Sequence, residues 1–150
     1  MNKNKGFTII ELLIVITIIA LLAAVISIVF KSAKDRGTDT SVLNGLNQVR
    51  IQADLYYNFN GSYLNVCSSS KDNSTPKGIN AMVFNSGKET GQIVGVNVNG
   101  AGSGEVRCND TTAGWAAQAP LSDGKFYCVD YKRNGIITST SIGNVYAYCQ

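Results

Sequence analysis

Glu11 is the one ionisable side chain between Phe7 and Phe30, in the run FTIIELLIVITIIALLAAVISIVF. On insertion scales an acidic residue costs about 2.5–3.5 kcal/mol at the centre of a membrane span. Wherever apolar helices close around it, it needs a cationic or hydrogen-bonding partner. The other residues able to do chemistry are Cys67, Cys108, Cys128 and Cys149. None of them forms a CxxC pair, which argues against zinc and thioredoxin-like redox sites. The chain has no histidine. That excludes Ser-His-Asp and Cys-His catalysis and every His-containing metal site, and leaves a thiol without an activating base. Disulfides in an oxidising compartment are the favoured reading, against free, buried cysteines in a reduced protein, with three pairings open to four cysteines. No nucleophile–base pair and no metal set can be assembled, so neither enzyme activity nor a cofactor is expected.

The elements that carry these residues differ sharply along the chain. Of 150 residues 45% are hydrophobic and only 15% charged, against about 25% charged in ordinary soluble proteins. The length suits one small domain with an appendage. The Phe7–Phe30 run contains neither Gly nor Pro, and as a helix it is long enough for the ~30 Å hydrocarbon core of a bilayer. A cleaved secretory signal, with Lys3 and Lys5 as its basic end, fits less well, because such apolar regions are typically ~7–15 residues long. The formal charge is only +3 and no basic run exceeds two residues, so nucleic acid is not indicated as a partner. Lys31, Lys34 and Arg36 follow the span and two lysines precede it, a balance slightly against placing the C-terminal part outside. The cysteines favour the outside.

Lys5-Gly6-Phe7-Thr8-Ile9-Ile10-Glu11-Leu12-Leu13 resembles the prepilin signature of type IV pilins and pseudopilins: a basic leader ending in Gly, then Phe-Thr, aliphatics and Glu. The resemblance implies cleavage between Gly6 and Phe7 by a membrane prepilin peptidase, and N-methylation of Phe7. It also implies a single-pass, N-in helix held in the cytoplasmic membrane before it is packed into an extracellular filament at the cell surface. The physics of Glu11 points the same way. Cleavage would expose an amine four residues earlier, cationic near neutral pH, and staggered parallel helices could pair one subunit's Glu11 with another's Phe7 amine. Such a pair would set axial register. After cleavage the side-chain charge falls to 11 − 10 = +1.

Beyond the span the period changes. Leu43, Leu46, Val49, Ala53 and Tyr56 recur at three and four residues, which predicts an amphipathic helix with Leu46, Val49 and Ala53 inward and Asn47, Arg50 and Asp54 solvated. Gly61 ends it. One nearly continuous helix is expected from about Thr8 to Asn60, with a bend or fray near Gly37-Thr38-Asp39-Thr40-Ser41. Twelve of the fifteen glycines lie from residue 61 onward. Ser68–Gly78 reads as a loop. Strands are expected at Gln92–Val98, Glu105–Cys108, Gly114–Ala119, Lys125–Asp130, Ile136–Ser139 and Asn144–Tyr148, with Asn134-Gly135 as a hairpin turn.

The expected fold is therefore α+β and type IV pilin-like: a long N-terminal helix, apolar then amphipathic, on a small antiparallel β-sheet head. Its divisions are a leader (1–6), a transmembrane or filament-core helix (7–30), an amphipathic helix (31–60) and a disulfide-bonded β head (61–150). Cys67–Cys108 and Cys128–Cys149 are the favoured pairs, the second clamping the C-terminal tail to the sheet as in many pilins. Asp130-Tyr-Lys-Arg-Asn134-Gly135 has one carboxylate where a calcium loop needs several oxygen ligands, so no metal is expected. Asn60, Asn73 and Asn109 begin formal glycosylation sequons. The function implied is a pilin that forms a helical homopolymer with the help of the pilus assembly machinery. The alternatives are a type II secretion pseudopilin and a minor or DNA-uptake pilin.

Overall fold

The computed structural model describes residues 6–68, 78–88, 90–91, 96–100, 105–132, 135–143 and 147–150. The chain divides into two compact units, Met1–Asp35 and Arg36–Gln150. Helix α1 (Ile9–Asn60) supplies nearly all that is described of the first and one layer of the second.

Among the described residues of the first unit, the apolar side chains have nothing to bury against. Ile9 is 85% exposed, Leu21 70% and Phe30 69%. The segment is apolar on every side, which in water would be untenable and in a bilayer or a helix bundle is required. By length and composition it can cross a membrane.

In the second unit Val42, Leu46, Val49 and Ala53 of α1 are fully buried, the stripe that the three-and-four spacing places on one side. Asn47 is exposed as expected, but Arg50 and Asp54 are half-buried. The residues from Gly37 to Ser41 are helical without a break. Three hydrogen bonds hold it: the Thr40 hydroxyl donates to the Arg36 carbonyl (2.8 Å), and the Asp39 carboxylate accepts from both the backbone and the hydroxyl of Ser122 (2.8 and 2.7 Å). Tertiary contact overrides weak propensity here. At the other end Gly61 takes φ +67° and its N–H bonds the Tyr57 carbonyl at 2.7 Å, an αL stop that suits glycine.

Among the described residues five strands form one sheet in the order β1-β2-β3-β4-β5: Val96–Val98, Val106–Asp110, Trp115–Pro120, Phe126–Asp130 and Gly135–Thr138. Only β1 departs from the expected antiparallel pattern, pairing parallel to β2 with Val96 opposite Val106. Most of the connection that returns the chain for this pairing, residues 101–104, lies outside the described residues. The front of the sheet (Cys108, Trp115, Ala117, Ala119, Tyr127, Val129) shares a core with α1. A second helix, α2 (Asn80–Lys88), also belongs to this side, with Val83 buried and the preceding Ile79 in the same core. Local sequence does not announce this helix. Its residues NAMVFNSGK include Asn, Ser and Gly, weak helix formers, and burial of Ile79 and Val83 one turn apart holds it. Gly45 of α1 allows the two helices to approach: a Cβ there would collide with the Ser86 side chain.

The back of the sheet is covered by the tail. Ala116, Cys128 and Ile142 pack together with Cys149, so β3 is buried on both faces. Asn144–Tyr148, expected as a strand, lies partly outside the described residues, and Ala147 and Tyr148 are a bend. Residues 92–95 of the first strand candidate are also outside. The β4–β5 hairpin forms with Val129 opposite Gly135, so Gly135 is a strand residue and not half of a two-residue turn. Asn134 lies outside the described residues. A Cβ on Gly135 would strike the Tyr127 hydroxyl and the Arg50 guanidinium.

Because the second unit has its own core, a chain beginning at Lys31 is expected to be a soluble monomer under oxidising conditions. Light scattering of that fragment checks it; aggregation would mean that the core depends on residues removed.

Candidate functional site

The candidate site is the start of α1. Gly6, Phe7 and Thr8 precede the helix, and Phe7 is 81% exposed. The Gly6–Phe7 peptide bond therefore lies in open, non-helical backbone, the form of chain a peptidase can grip. Thr8 is the N-cap. Its carbonyl accepts the Leu12 N–H (3.3 Å), and its hydroxyl oxygen accepts the Glu11 N–H (3.3 Å). Glu11 answers: its Oε2 accepts both the Thr8 N–H and the Thr8 hydroxyl, each at 2.8 Å. This is a capping box, two reciprocal bonds that satisfy helix-terminal N–H groups otherwise left without partners.

Glu11 therefore has a local role beside the register role expected of it. The signal was present, since Thr8-Ile9-Ile10-Glu11 has the T-x-x-E spacing ahead of an apolar run. Both bonds go to one carboxylate oxygen. Oε1 accepts no hydrogen bond among the described residues, so one oxygen caps the helix and the other stays open. The carboxylate also sits at the positive end of the helix dipole.

Thr8→Val keeps the bulk of the side chain and deletes the cap. It is expected to weaken the first turn by about 1 kcal/mol, read as several-fold faster amide exchange at Glu11 and Leu12 in detergent micelles. Unchanged exchange would show that the cap contributes nothing.

The cysteines lie elsewhere, in the second unit. Cys67 is bonded to Cys108 and Cys128 to Cys149. Each bridge is reinforced by a buried carboxylate. Asp110 Oδ2 accepts the Cys67 N–H at 2.7 Å, and Asp130 Oδ2 accepts the Cys149 N–H at 3.0 Å. The other oxygen of Asp130 accepts the Lys132 N–H at 3.0 Å, so both are engaged with backbone. The tail is further held by Gln118, which accepts from the Ile142 N–H (2.7 Å) and donates to the Ser141 hydroxyl (3.0 Å). No group of three or more His, Cys, Asp or Glu side chains that could hold a metal is gathered among the described residues. Of the three sequons, Asn109 is 2% exposed and bonds the Gly143 carbonyl, Asn60 is exposed at the end of α1, and Asn73 is outside the described residues.

Residues 1–27 match the family model of the prokaryotic N-terminal methylation motif. Over 63 residues the chain is 48% identical to the type IV wide pilus major component of Thermus thermophilus. The match takes in 42% of this chain and 48% of that relative, so the chain spans about half the length of the curated relative it matches. No solved structure matches the chain. The architecture, a long N-terminal helix with a mostly antiparallel sheet, is α+β and agrees with the pilin-like fold expected from the N-terminal residues.

Proposed function

We propose that the chain is a type IV pilin, the repeating subunit of a filament displayed at the cell surface. The observation that carries this reading is the start of α1: an exposed Gly6–Phe7 bond, a capped Glu11 with one oxygen free among the described residues, and then an apolar helix whose described large side chains are exposed. Residues 1–6 act as a leader removed by a prepilin peptidase. Residues 7–30 anchor the subunit in the cytoplasmic membrane, N-terminus inside, until assembly transfers them to the filament core. Residues 31–60 are the amphipathic half of the helix, and residues 61–150 complete the disulfide-bonded head outside.

Transfer from lipid to filament is physically reasonable because both surroundings are apolar. The helix exchanges acyl chains for other helices, and its apolar surface is never returned to water. What must change is the partner of Glu11. In the filament its free oxygen meets the Phe7 amine of a neighbouring subunit, which removes two uncompensated charges together. The likeness to a wide-pilus major component supports a pilus over a secretion pseudopilus, and two disulfide-locked loops suit a head that must survive outside the cell.

The intact mass of the subunit from sheared filaments tests the reading. The expected chain starts at Phe7 and carries one added methyl group. A filament subunit that retains residues 1–6 would overturn it.

A further inference from the structure

Arg50 carries a charge that the fold leaves unanswered. Its side chain is half-buried, and among the described residues it makes no ion pair and no hydrogen bond. The Nε proton is buried with no acceptor. The guanidinium lies close against β5, where a Cβ on Gly135 would come within 2.7 Å of Nη2. Beside it is an open cavity of about 350 Å³, lined by Asn47, Arg50, Ile51 and Asp54 along α1. A partly desolvated cation without an anion is costly, and a guanidinium in such a place suits a carboxylate or phosphate. The other polar groups narrow the choice. Asn47 engages its Oδ1 with the Tyr127 hydroxyl (3.1 Å), which leaves its Nδ2 as a donor. Asp54 already has a partner of its own. The groups on offer are donors, so a ligand must bring the acceptor.

We propose that this cavity binds a carboxylate, with the Nη groups of Arg50 and the Nδ2 of Asn47 as its donors. Ile51, 65% exposed, lies beside the organic part of the ligand. Charge decides between carboxylate and phosphate. One guanidinium matches a single negative charge, whereas a doubly charged phosphate would be left in excess with Asp54 in the same lining. Two sources supply a carboxylate: a small organic acid free in solution, or an acidic side chain of a neighbouring copy in the filament. The site goes beyond the filament reading and does not depend on it.

The test uses the full chain, uniformly labelled with nitrogen-15, in detergent micelles. Burial slows exchange of the Arg50 Nε proton with water, so its magnetic resonance signal is observable, and it is assigned by its loss in Arg50→Lys. Titration with sodium acetate, against sodium chloride at equal ionic strength, is expected to move this signal downfield to a plateau. The half-point is expected on the order of 10 mM. Asn47→Ala should raise it several-fold. Tyr127→Phe, which breaks the Tyr127–Asn47 bond and keeps the Nδ2 donor, should leave it within about twofold. A signal that follows acetate no further than chloride would overturn the proposal. So would tighter binding of inorganic phosphate than of acetate, or an unchanged half-point in Asn47→Ala. Filaments separate the two sources. In acetate-free filaments, a solid-state Arg50 Nε signal already at the bound position identifies a neighbour's carboxylate. One at the free position that moves when acetate is added identifies a free acid, and one that acetate does not move sinks the site. Failure to form filaments would overturn the pilin reading alone, and the micelle titration would still decide this one.

Discussion

Glu11→Ala is expected to abolish filaments while leaving membrane insertion intact or improved. The substitution removes the costly group from the apolar segment, so anchoring does not suffer. Cleavage between Gly6 and Phe7 should continue, because the scissile bond lies outside the helix. Two losses then combine. The Thr8 N–H and hydroxyl, both donated to Oε2, lose their acceptor, and a neighbour's amine has no anion to meet. Breaking a buried ion pair by removing one partner costs about 3–5 kcal/mol, because the other charge is left uncompensated. At ~1.4 kcal/mol per tenfold, that alone lowers an assembly constant by about a hundredfold or more. Glu11→Gln should be intermediate: it retains a hydrogen-bond acceptor for the cap and lacks the charge. In mixed cells the Ala variant should enter wild-type filaments at low ratio, since each contact needs one carboxylate and one amine. Electron microscopy of sheared surface material, with immunoblots for the processed subunit, reads all three outcomes. Normal filaments from Glu11→Ala alone would show that apolar packing suffices.

Replacing both Cys67 and Cys108 by Ser is the second large effect expected, and here the readout is stability. The bridge closes a sequence separation of 41 residues, which corresponds to about 4 kcal/mol in the chain-entropy account. A small domain has only about 5–15 kcal/mol in total. The bridge also fixes the loop after α1 against β2, where Asp110 accepts the Cys67 N–H. The expected result is a fall in melting temperature of roughly 10–20 °C, followed by near-ultraviolet circular dichroism of the buried Trp115, the single tryptophan. The Cys128, Cys149 pair closes 21 residues and should cost less, about 3 kcal/mol. Its loss should also release the tail from the back of the sheet. A larger effect from the second pair would mean that tail docking, not loop closure, dominates the stability of the head.

The sequence by itself determined the two properties that are local or periodic. An apolar run of fixed length with one acid at its start needs no tertiary partner to declare itself, because bilayer thickness and helix rise set the criterion. The T-x-x-E cap is equally local. The Leu46/Val49/Ala53 stripe, the Gly61 stop and all five described strands were legible because side-chain period follows backbone geometry. What only the tertiary structure decided depends on residues distant in the chain. Helix α2 is built from weak formers and exists because Ile79 and Val83 fit a core assembled from α1 and the sheet. Gly37 to Ser41 stay helical because Asp39 reaches Ser122, eighty-three residues away. Arg50 is half-buried beside Gly135 and Tyr127, although its helical position reads as solvated. The parallel pairing of β1 was equally hidden, since strand direction is set by how a connection returns and not by the residues within the strand. Local signals fix the elements of this protein; burial against partners absent from any short window fixes which weak segments become ordered.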